Sequence, residues 1–194
     1  MERRSFIVSA TGLVVGGGAL LMGGCSTTPP RASADPASRR REIDTAAEAT
    51  LTRLYSTARG TRELGQRASG ILVFPNVIAA GLVVGGEAGD GVLRERGQSS
   101  GYYRTITGSI GWQIGAQSKA IVIMFLNQDA LDRFKRSNGW SAGADASVAV
   151  ARIGASGEID TTTISQSVVG FALTNVGLMA NATLEGTKVT KLDI

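Results

Sequence analysis

Hydrophobic residues in the first third of the chain recur at the spacing of a helix. They lie three and four residues apart, which is typical of a helix with one buried face. Asp35 suits the N-cap and Pro36 the first turn, so we predict that a helix begins there and ends at Gly60. Thr61 is placed to cap a second short helix that ends at Gly70. The apolar residues of the first helix are Ile43, Ala47, Leu51, Leu54, Tyr55 and Ala58.

The pattern then changes to the two-residue period of strands. Residues 71–74 form a short apolar run that Pro75 should end, because proline cannot donate a ladder hydrogen bond. Residues 106–117 alternate strictly, with Ile106 on an apolar face and Thr105 on a small polar face that is either wet or pressed against other backbone. Further strands are predicted at 120–126, 140–152, 158–164, 167–173, 178–184 and 187–192.

The strands are interrupted once by a helical pattern. Asn127 is a favourable N-cap, and Leu131 and Phe134 supply the buried side of a short helix near residues 128–137. Strands that follow one another through short turns favour an antiparallel sheet. The chain has 26 glycines among 194 residues, which would let such a sheet curl and become barrel-like if it closed. The predicted fold class is therefore α+β: N-terminal helices, one short later helix and a curled, glycine-rich antiparallel sheet.

The composition excludes several kinds of chemistry. There is no histidine, which removes the Ser-His-Asp triad, the Cys-His dyad and every His-bearing zinc site. The net charge is only +4 and aromatic residues make up 5%, too little to indicate nucleic-acid binding. We expect a protein that is not an enzyme and uses no metal or cofactor.

Glycines at positions 81–91 invite a nucleotide-binding interpretation. A dinucleotide fingerprint needs a helix directly after the glycines, and a phosphate loop needs Gly-Lys-Ser/Thr. Neither follows here, since the next residues are Val92, Leu93 and Arg94. A turn within a twisted hairpin explains this segment better.

The N-terminus has the pattern of a signal peptide at residues 1–24. A short basic start precedes an uncharged run that four glycines make too weak for a good membrane span. Gly23-Gly24-Cys25 resembles a bacterial lipobox, in which the thiol is lipidated and the new N-terminus is acylated with chains such as palmitate. The alternatives are an ordinary secretory peptide with an incidental cysteine and an uncleaved helix.

The export route and destination follow from the same segment. Arg3-Arg4 resembles a twin-arginine signal, with the general secretory route as the alternative. Ser26 after the cysteine is what lipoproteins sent to the outer membrane commonly have. Residues 25–37 would then be a lipidated tether and 38–194 the folded domain. We expect a lipid-anchored protein of the bacterial cell envelope, on the outer membrane and facing the periplasm.

Three consecutive arginines lie near the start of the first helix. Arg39, Arg40 and Arg41 are unfavourable at the positive end of a helix dipole, so contact with phosphate is one reason for their presence. Near an anionic surface each basic residue contributes about 1 kcal/mol. The alternative is a solvated face on which Glu42 and Asp44 offset the charge.

The order of segments in the body resembles the SYLF-domain family, a lipid-binding module. The resemblance implies lipid or membrane-surface binding. Eukaryotic members bind phosphoinositides and some act on actin, but a bacterial envelope offers neither, so only general lipid binding is implied here. Lys119 matches its family position and is a candidate lipid contact, whereas Ala79 replaces the lysine usual after "NVI". The segments that carry the resemblance are 70–93, 101–125, 139–150, 157–164 and 177–189.

Together these observations predict an exported bacterial lipoprotein whose domain binds lipid without catalysis. The expected partner is membrane lipid, with anionic phospholipid headgroups meeting Arg39, Arg40, Arg41 and Lys119. One alternative is a structural or protein-interaction module with an envelope protein as partner. A hydrolase is the third hypothesis, and the missing histidine disfavours it.

Overall fold

The computed structural model describes residues 35–81, 84–110, 117–151, 159, 165–175, 177–179 and 182–194. These residues belong to one compact unit, Ser33–Ile194. The predicted signal peptide, Cys25 and most of the tether lie outside the described residues, as do most of the predicted strand at 158–164 and the second half of the strand at 106–117.

Helix α1 spans Pro36–Thr57 and begins where the sequence predicts. The Asp35 carboxylate accepts a hydrogen bond from the Ser38 amide at 3.3 Å, and Pro36 occupies the first turn. The predicted apolar residues face the sheet and are largely buried. The helix ends earlier than Gly60, because Ala58 already has an extended backbone.

Helix α2 spans Thr61–Arg67, and its N-cap is Gly60 rather than Thr61. Gly60 has φ 82°, a left-handed conformation that glycine adopts without a steric penalty. Thr61 is buried, and its hydroxyl donates to the Ala58 carbonyl oxygen at 2.7 Å. The sequence therefore predicts both helices but places the N-cap of α2 one residue too late, at Thr61 instead of Gly60.

One curled, open sheet contains all the described strands, so the α+β prediction is confirmed. The strands are β1 Gly70–Gly81, β2 Val84–Glu95, β3 Gln98–Ile110, β4 Gln117–Phe125, β5 Trp140–Ser141, β6 Ala149–Val150, β7 Val168–Thr174, β8 Gly177–Leu178 and β9 Lys188–Lys191. Their order in the sheet is β5-β9-β3-β2-β1-β4-β7-β6, and β8 pairs with β7.

The third helix, α3, spans Gln128–Arg136 and is capped by Asn127, whose side chain accepts from the Ala130 amide at 2.8 Å.

Four strand predictions differ from the structure. Of the strand predicted at 178–184, the described residues are in a strand only at its beginning, in the two-residue strand β8. Strand β1 continues past Pro75. Its pairing register shifts near Pro75 with both neighbours, β2 and β4, and this irregularity accommodates a residue that cannot donate a backbone hydrogen bond. The predicted strand at 140–152 is instead two strands of two residues each, joined by turns. The sheet is not wholly antiparallel, since β6 runs parallel to β7.

The glycine-rich segment 81–91 forms a hairpin, as predicted. Gly81 pairs with Gly85 across its closed end, and the remaining glycines lie within β2. No helix follows them in the structure, because β2 leads directly into β3 through the turn at Arg96 and Gly97.

Two hydrophobic cores cover the two faces of the sheet. Helix α1 packs on one face, over Val73, Val92, Val122 and Phe171. Helix α3 and the segments around β5 and β9 pack on the other face, where Phe125, Phe134 and Trp140 make ring contacts. Among the described helices, none combines the length and apolar character needed to cross a bilayer.

Candidate functional site

The three predicted arginines lie in the first two turns of α1, but their surroundings differ. Arg39 forms a salt bridge with Asp90 of β2. The Nε of Arg40 donates to the carbonyl oxygen of Ile194 at 2.8 Å. Arg41 is exposed, and the described residues provide it with no ion-pair partner. Arg40 and Arg41 therefore carry most of the charge that this end of the helix offers to an external ligand.

Asp90 fixes the start of α1 to the sheet. Arg104 of β3 donates two hydrogen bonds to its carboxylate, from Nε at 2.7 Å and from Nη2 at 3.1 Å, while Arg39 approaches from the helix. Desolvation raises the pKa of Asp90, but the hydrogen bonds from Arg104 and Arg39 outweigh it and leave this pKa below its usual value. One carboxylate thus holds two guanidinium groups at the surface.

Beyond this ionic cluster the sheet continues without a covering helix. Five residues in register across five strands form what we call the exposed row: Ser118, Ile78, Ala88, Ile106 and Lys188. All five are exposed, and they lie on the same face as α1 because paired residues share a face of the sheet. Ile78 is 48% exposed and Ile106 is 52% exposed, and the other large hydrophobic side chains among the described residues are less exposed than these two.

The exposed row and the ionic cluster form one surface. A depression of about 540 Å³ joins them, with Arg39 and Ile43 of α1 on one side and Ile78, Ile106 and Arg104 on the other. We call this surface the basic-apolar patch, and it comprises the exposed row with Arg39 and Arg104. The exposed Arg40 and Arg41 follow Arg39 on α1 and adjoin the patch along the helix. Apolar side chains bordered by guanidinium groups suit a partner that is itself amphiphilic and anionic.

The structure places Lys119 elsewhere. Its Nζ lies 2.6 Å from Oε2 of Glu87, and both side chains are largely buried. Lys119 is opposite Val77, which packs in the core on the α3 side, so it points away from the exposed row. Strand β1 separates the two partners, and the small Ala79 between them leaves room for the pair to meet. The three arginines and Lys119 are therefore not brought together.

Two cations of the patch were missed in the sequence. Arg104 faces Asp90 and Lys188 faces Ile106 only through the strand register, which sequence periodicity does not supply. The one available signal was the alternation of 106–117, which indicated an apolar face on β3. In the structure, Ile106 on that apolar face is exposed to solvent, whereas Thr105 on the polar face is fully buried.

Two carboxylates line the depression, Glu42 of α1 and Asp90 of β2. Asp90 is engaged by two arginines and has a lowered pKa, which does not suit a general base or acid near neutral pH. Across the part of the chain that the structure describes, no group of three or more potential metal-ligating side chains occurs.

Comparison with known families gives one match. The sequence model of the Ysc84 family, described as Las17-binding protein actin regulator, matches residues 106–193. The matched segment runs from Ile106 through β4 and α3 to β9 and includes Lys119 and Lys188. A comparison with curated protein sequences finds no significant match.

Proposed function

We propose that this protein binds lipid at a membrane surface and is not an enzyme, a proposal that the match of residues 106–193 to the Ysc84 (SYLF) family supports. The observation that carries the proposal is the basic-apolar patch, in which two half-exposed isoleucines lie beside Arg39, Arg104 and Lys188. Arg40 and Arg41 add exposed positive charge next to it on α1. The expected ligand is an anionic phospholipid surface.

Simple energetics favour such a contact. Each half-exposed isoleucine would contribute about 1 kcal/mol on entering the edge of a bilayer. Each arginine near an anionic leaflet would add about 1 kcal/mol, and this part would weaken with salt because surface charges are screened. The sum gives a weak, reversible attachment, which suits a protein that is also tethered.

We further propose that acyl chains on Cys25 supply the stable anchor, on the periplasmic side of an outer membrane. Two or three chains hold a protein where a single chain gives only marginal binding. The tether from Cys25 to α1 can reach at most about 40 Å. It joins α1 at Pro36, one turn before Arg39, so the anchor and the patch would act at the same end of the helix.

The family description names an actin regulator, which is a statement about that family. A protein exported to the envelope would not meet actin. The part of the family function proposed here is therefore lipid binding alone.

Flotation with vesicles tests the proposal. A soluble form that starts at Ser26 would be mixed with neutral or anionic vesicles at low and high salt. The test variants are Ile78→Ser with Ile106→Ser, and Arg40→Gln with Arg41→Gln. Arg39 is left unchanged because its salt bridge with Asp90 holds α1 on the sheet. The matched control is Arg133→Gln with Arg136→Gln, two exposed arginines of α3, which packs on the other face of the sheet.

We expect the parent to float with anionic vesicles and to be released by salt. Both test variants should bind several-fold more weakly, and the control should bind as the parent does. Equal loss in the control would show a general charge effect and would contradict the role of the patch. If no vesicle binds and a protein partner is recovered through the isoleucines, the envelope interaction module becomes the better explanation.

A further inference from the structure

A second cleft lies near the other end of α1. It has a volume of about 370 Å³ and opens between α1, α2 and the turn that joins β2 to β3. This is within the range of small-molecule sites, at its lower end. Tyr55 of α1 lies 16 residues after Arg39, so the cleft is about 24 Å along the helix from the basic-apolar patch. The two surfaces cannot be parts of one headgroup contact.

Three guanidinium groups line this cleft, against one carboxylate. Arg62 of α2 stacks over the Tyr55 ring, 5.0 Å from its centroid. Arg94 is held by the Glu48 carboxylate and by the Gly97 carbonyl oxygen, which accepts from Nη2 at 2.8 Å. Arg96 is exposed, and the described part of the chain gives it no ion pair. The carboxylate next to it in sequence, Glu95, is already paired with Lys135 at 2.8 Å.

The floor of the cleft is apolar and well packed. Leu51 is buried there, with Ala68 and Ile71 beside it. Gly65 lets the Tyr55 hydroxyl approach closely, since a Cβ at residue 65 would lie 2.5 Å from that oxygen. We call this site, with its apolar floor and its rim of Arg62, Arg94 and Arg96, the arginine cleft. A guanidinium group can donate two parallel hydrogen bonds to an oxyanion, so this rim favours an anionic ligand.

The turn at the rim has an unexpected residue. Arg96 has φ 51° and Gly97 has φ 81°, and this pair of left-handed residues is a feature of a two-residue hairpin turn of type I′. Asn, Asp or Gly is preferred at the first position, because a side chain such as arginine is strained there. A strained residue at the edge of a cleft is a reason to look for a function of its side chain.

We propose that the arginine cleft binds a phosphate group, carried either by a small soluble molecule or by a lipid headgroup. Arg62 and Arg96 would donate hydrogen bonds to its oxygens, and Arg94 would provide a fixed positive wall. The apolar floor would contact the carbon skeleton next to the phosphate. This site is additional to the basic-apolar patch and does not depend on it.

The test uses the full chain with Cys25→Ser, so that no acyl chain is attached. Three probes would be titrated separately: inorganic phosphate, glycerol 3-phosphate, and dihexanoyl phosphatidic acid below its micellar concentration. The readout is the NMR signal of the arginine side-chain N–H groups, assigned by single substitutions. The variants are Arg62→Gln and Arg96→Asn, and the matched control is again Arg133→Gln with Arg136→Gln.

We expect at least one probe to shift the signals of Arg62, Arg94 and Arg96. Each variant should weaken binding about tenfold, since each removes a charge-assisted hydrogen bond, and the control should leave it unchanged. Binding of the soluble probes would identify a soluble ligand, and binding of the short-chain lipid alone would identify a headgroup. No shift with any probe, or equal weakening in the control, would overturn the proposal.

The melting temperatures of the variants show whether Arg96 and Arg62 serve phosphate binding or the stability of the fold. Because Asn suits the first position of this turn, Arg96→Asn should melt at the same temperature as the parent or higher, while it binds phosphate less well. If it melts lower, Arg62→Gln remains decisive, since Arg62 is exposed on α2. A melting temperature that rises with no loss of binding in either variant would contradict the proposal.

Discussion

At the scale of single residues, three polar contacts between side chains fix α1 to the sheet. Asp90 holds Arg39, the Arg94 guanidinium pairs with Glu48, and the Tyr102 hydroxyl donates to Asp44 at 2.9 Å. These contacts explain why the arginines at the start of α1 are not equivalent. Arg39 has a structural partner, whereas Arg40 and Arg41 remain largely available to a ligand.

The Asp90 cluster predicts a particular dependence of stability on pH. The pKa of Asp90 is lowered in the folded protein, so its stabilising contribution is present above the pKa of the unfolded chain, about 4, and is lost as the pH falls through the folded pKa. Asp90→Asn should therefore be less stable than the parent at pH 7, with a difference that shrinks below about pH 4. Urea unfolding at several pH values measures this difference.

The control for this prediction is Asp129→Asn, at an exposed position on α3. Its difference from the parent should be small throughout. The parent itself will also lose stability in acid through Glu95, whose pKa is lowered by the hydrogen bond from Lys135 in spite of desolvation. A gap between Asp90→Asn and the parent that stays constant down to pH 2 would contradict the assignment.

Residue by residue, the sequence identified the site only in part. Arg39, Arg40 and Arg41 could be found because they are adjacent on one helix. Arg104 and Lys188 could not, because their neighbours come from strands whose register is set by the whole sheet. The proposed role of Lys119 in lipid contact stays a prediction, although its pairing with Glu87 shows that it already has a structural partner.

At the scale of elements, most local signals predicted the structure and the non-local ones did not. The exception among the local signals is Thr61, since the N-cap of α2 is Gly60. Caps such as Asp35 and Asn127 act within a few residues, so both helix starts were predicted. Whether Pro75 ends a strand depends on two neighbouring strands that tolerate a register shift there. The weak pattern of Ala, Ser and Gly at 140–152 gave no sign of the turns between β5 and β6.

Glycine in β2 has a steric role that can be tested. A Cβ at Gly91 would overlap the Val73 carbonyl oxygen of β1, whereas a Cβ at Gly108 of β3 meets no atom within 4 Å. Gly91→Ala should therefore lower the free energy of unfolding by about 1–3 kcal/mol, because the backbone must move. Gly108→Ala is the matched control and should be near neutral. Chemical denaturation compares the two, and equal effects would show that the approach of β1 to β2 is not tight.

At the scale of the whole molecule, the sheet has a hydrophobic core on each face. The basic-apolar patch and the arginine cleft lie at different positions along α1. The sequence predicted the α+β class because glycine content and strand alternation are properties of the whole chain. It did not predict the basic-apolar patch, since the extent of the sheet beyond α1 depends on how far β1, β2 and β3 continue past the Asp90 cluster.

The proposed orientation on a membrane gives a prediction at this scale. In a chain with Cys25→Ser, an environment-sensitive dye on Ile78→Cys should shift to shorter wavelength with anionic vesicles, because residue 78 would enter an apolar region. The same dye on Arg133→Cys, on α3, should not respond. Equal responses at both positions would contradict an oriented contact and leave only non-specific adsorption.

The exposed row also bears on how this protein could diversify. Strands β1, β2 and β3 each have one part between two cores and another part that extends past α1. Substitutions in the outer part change the surface without opening a cavity, so mutational tolerance should be concentrated there. A single scaffold could in this way acquire new surface preferences while the packed part of the same strands stays unchanged.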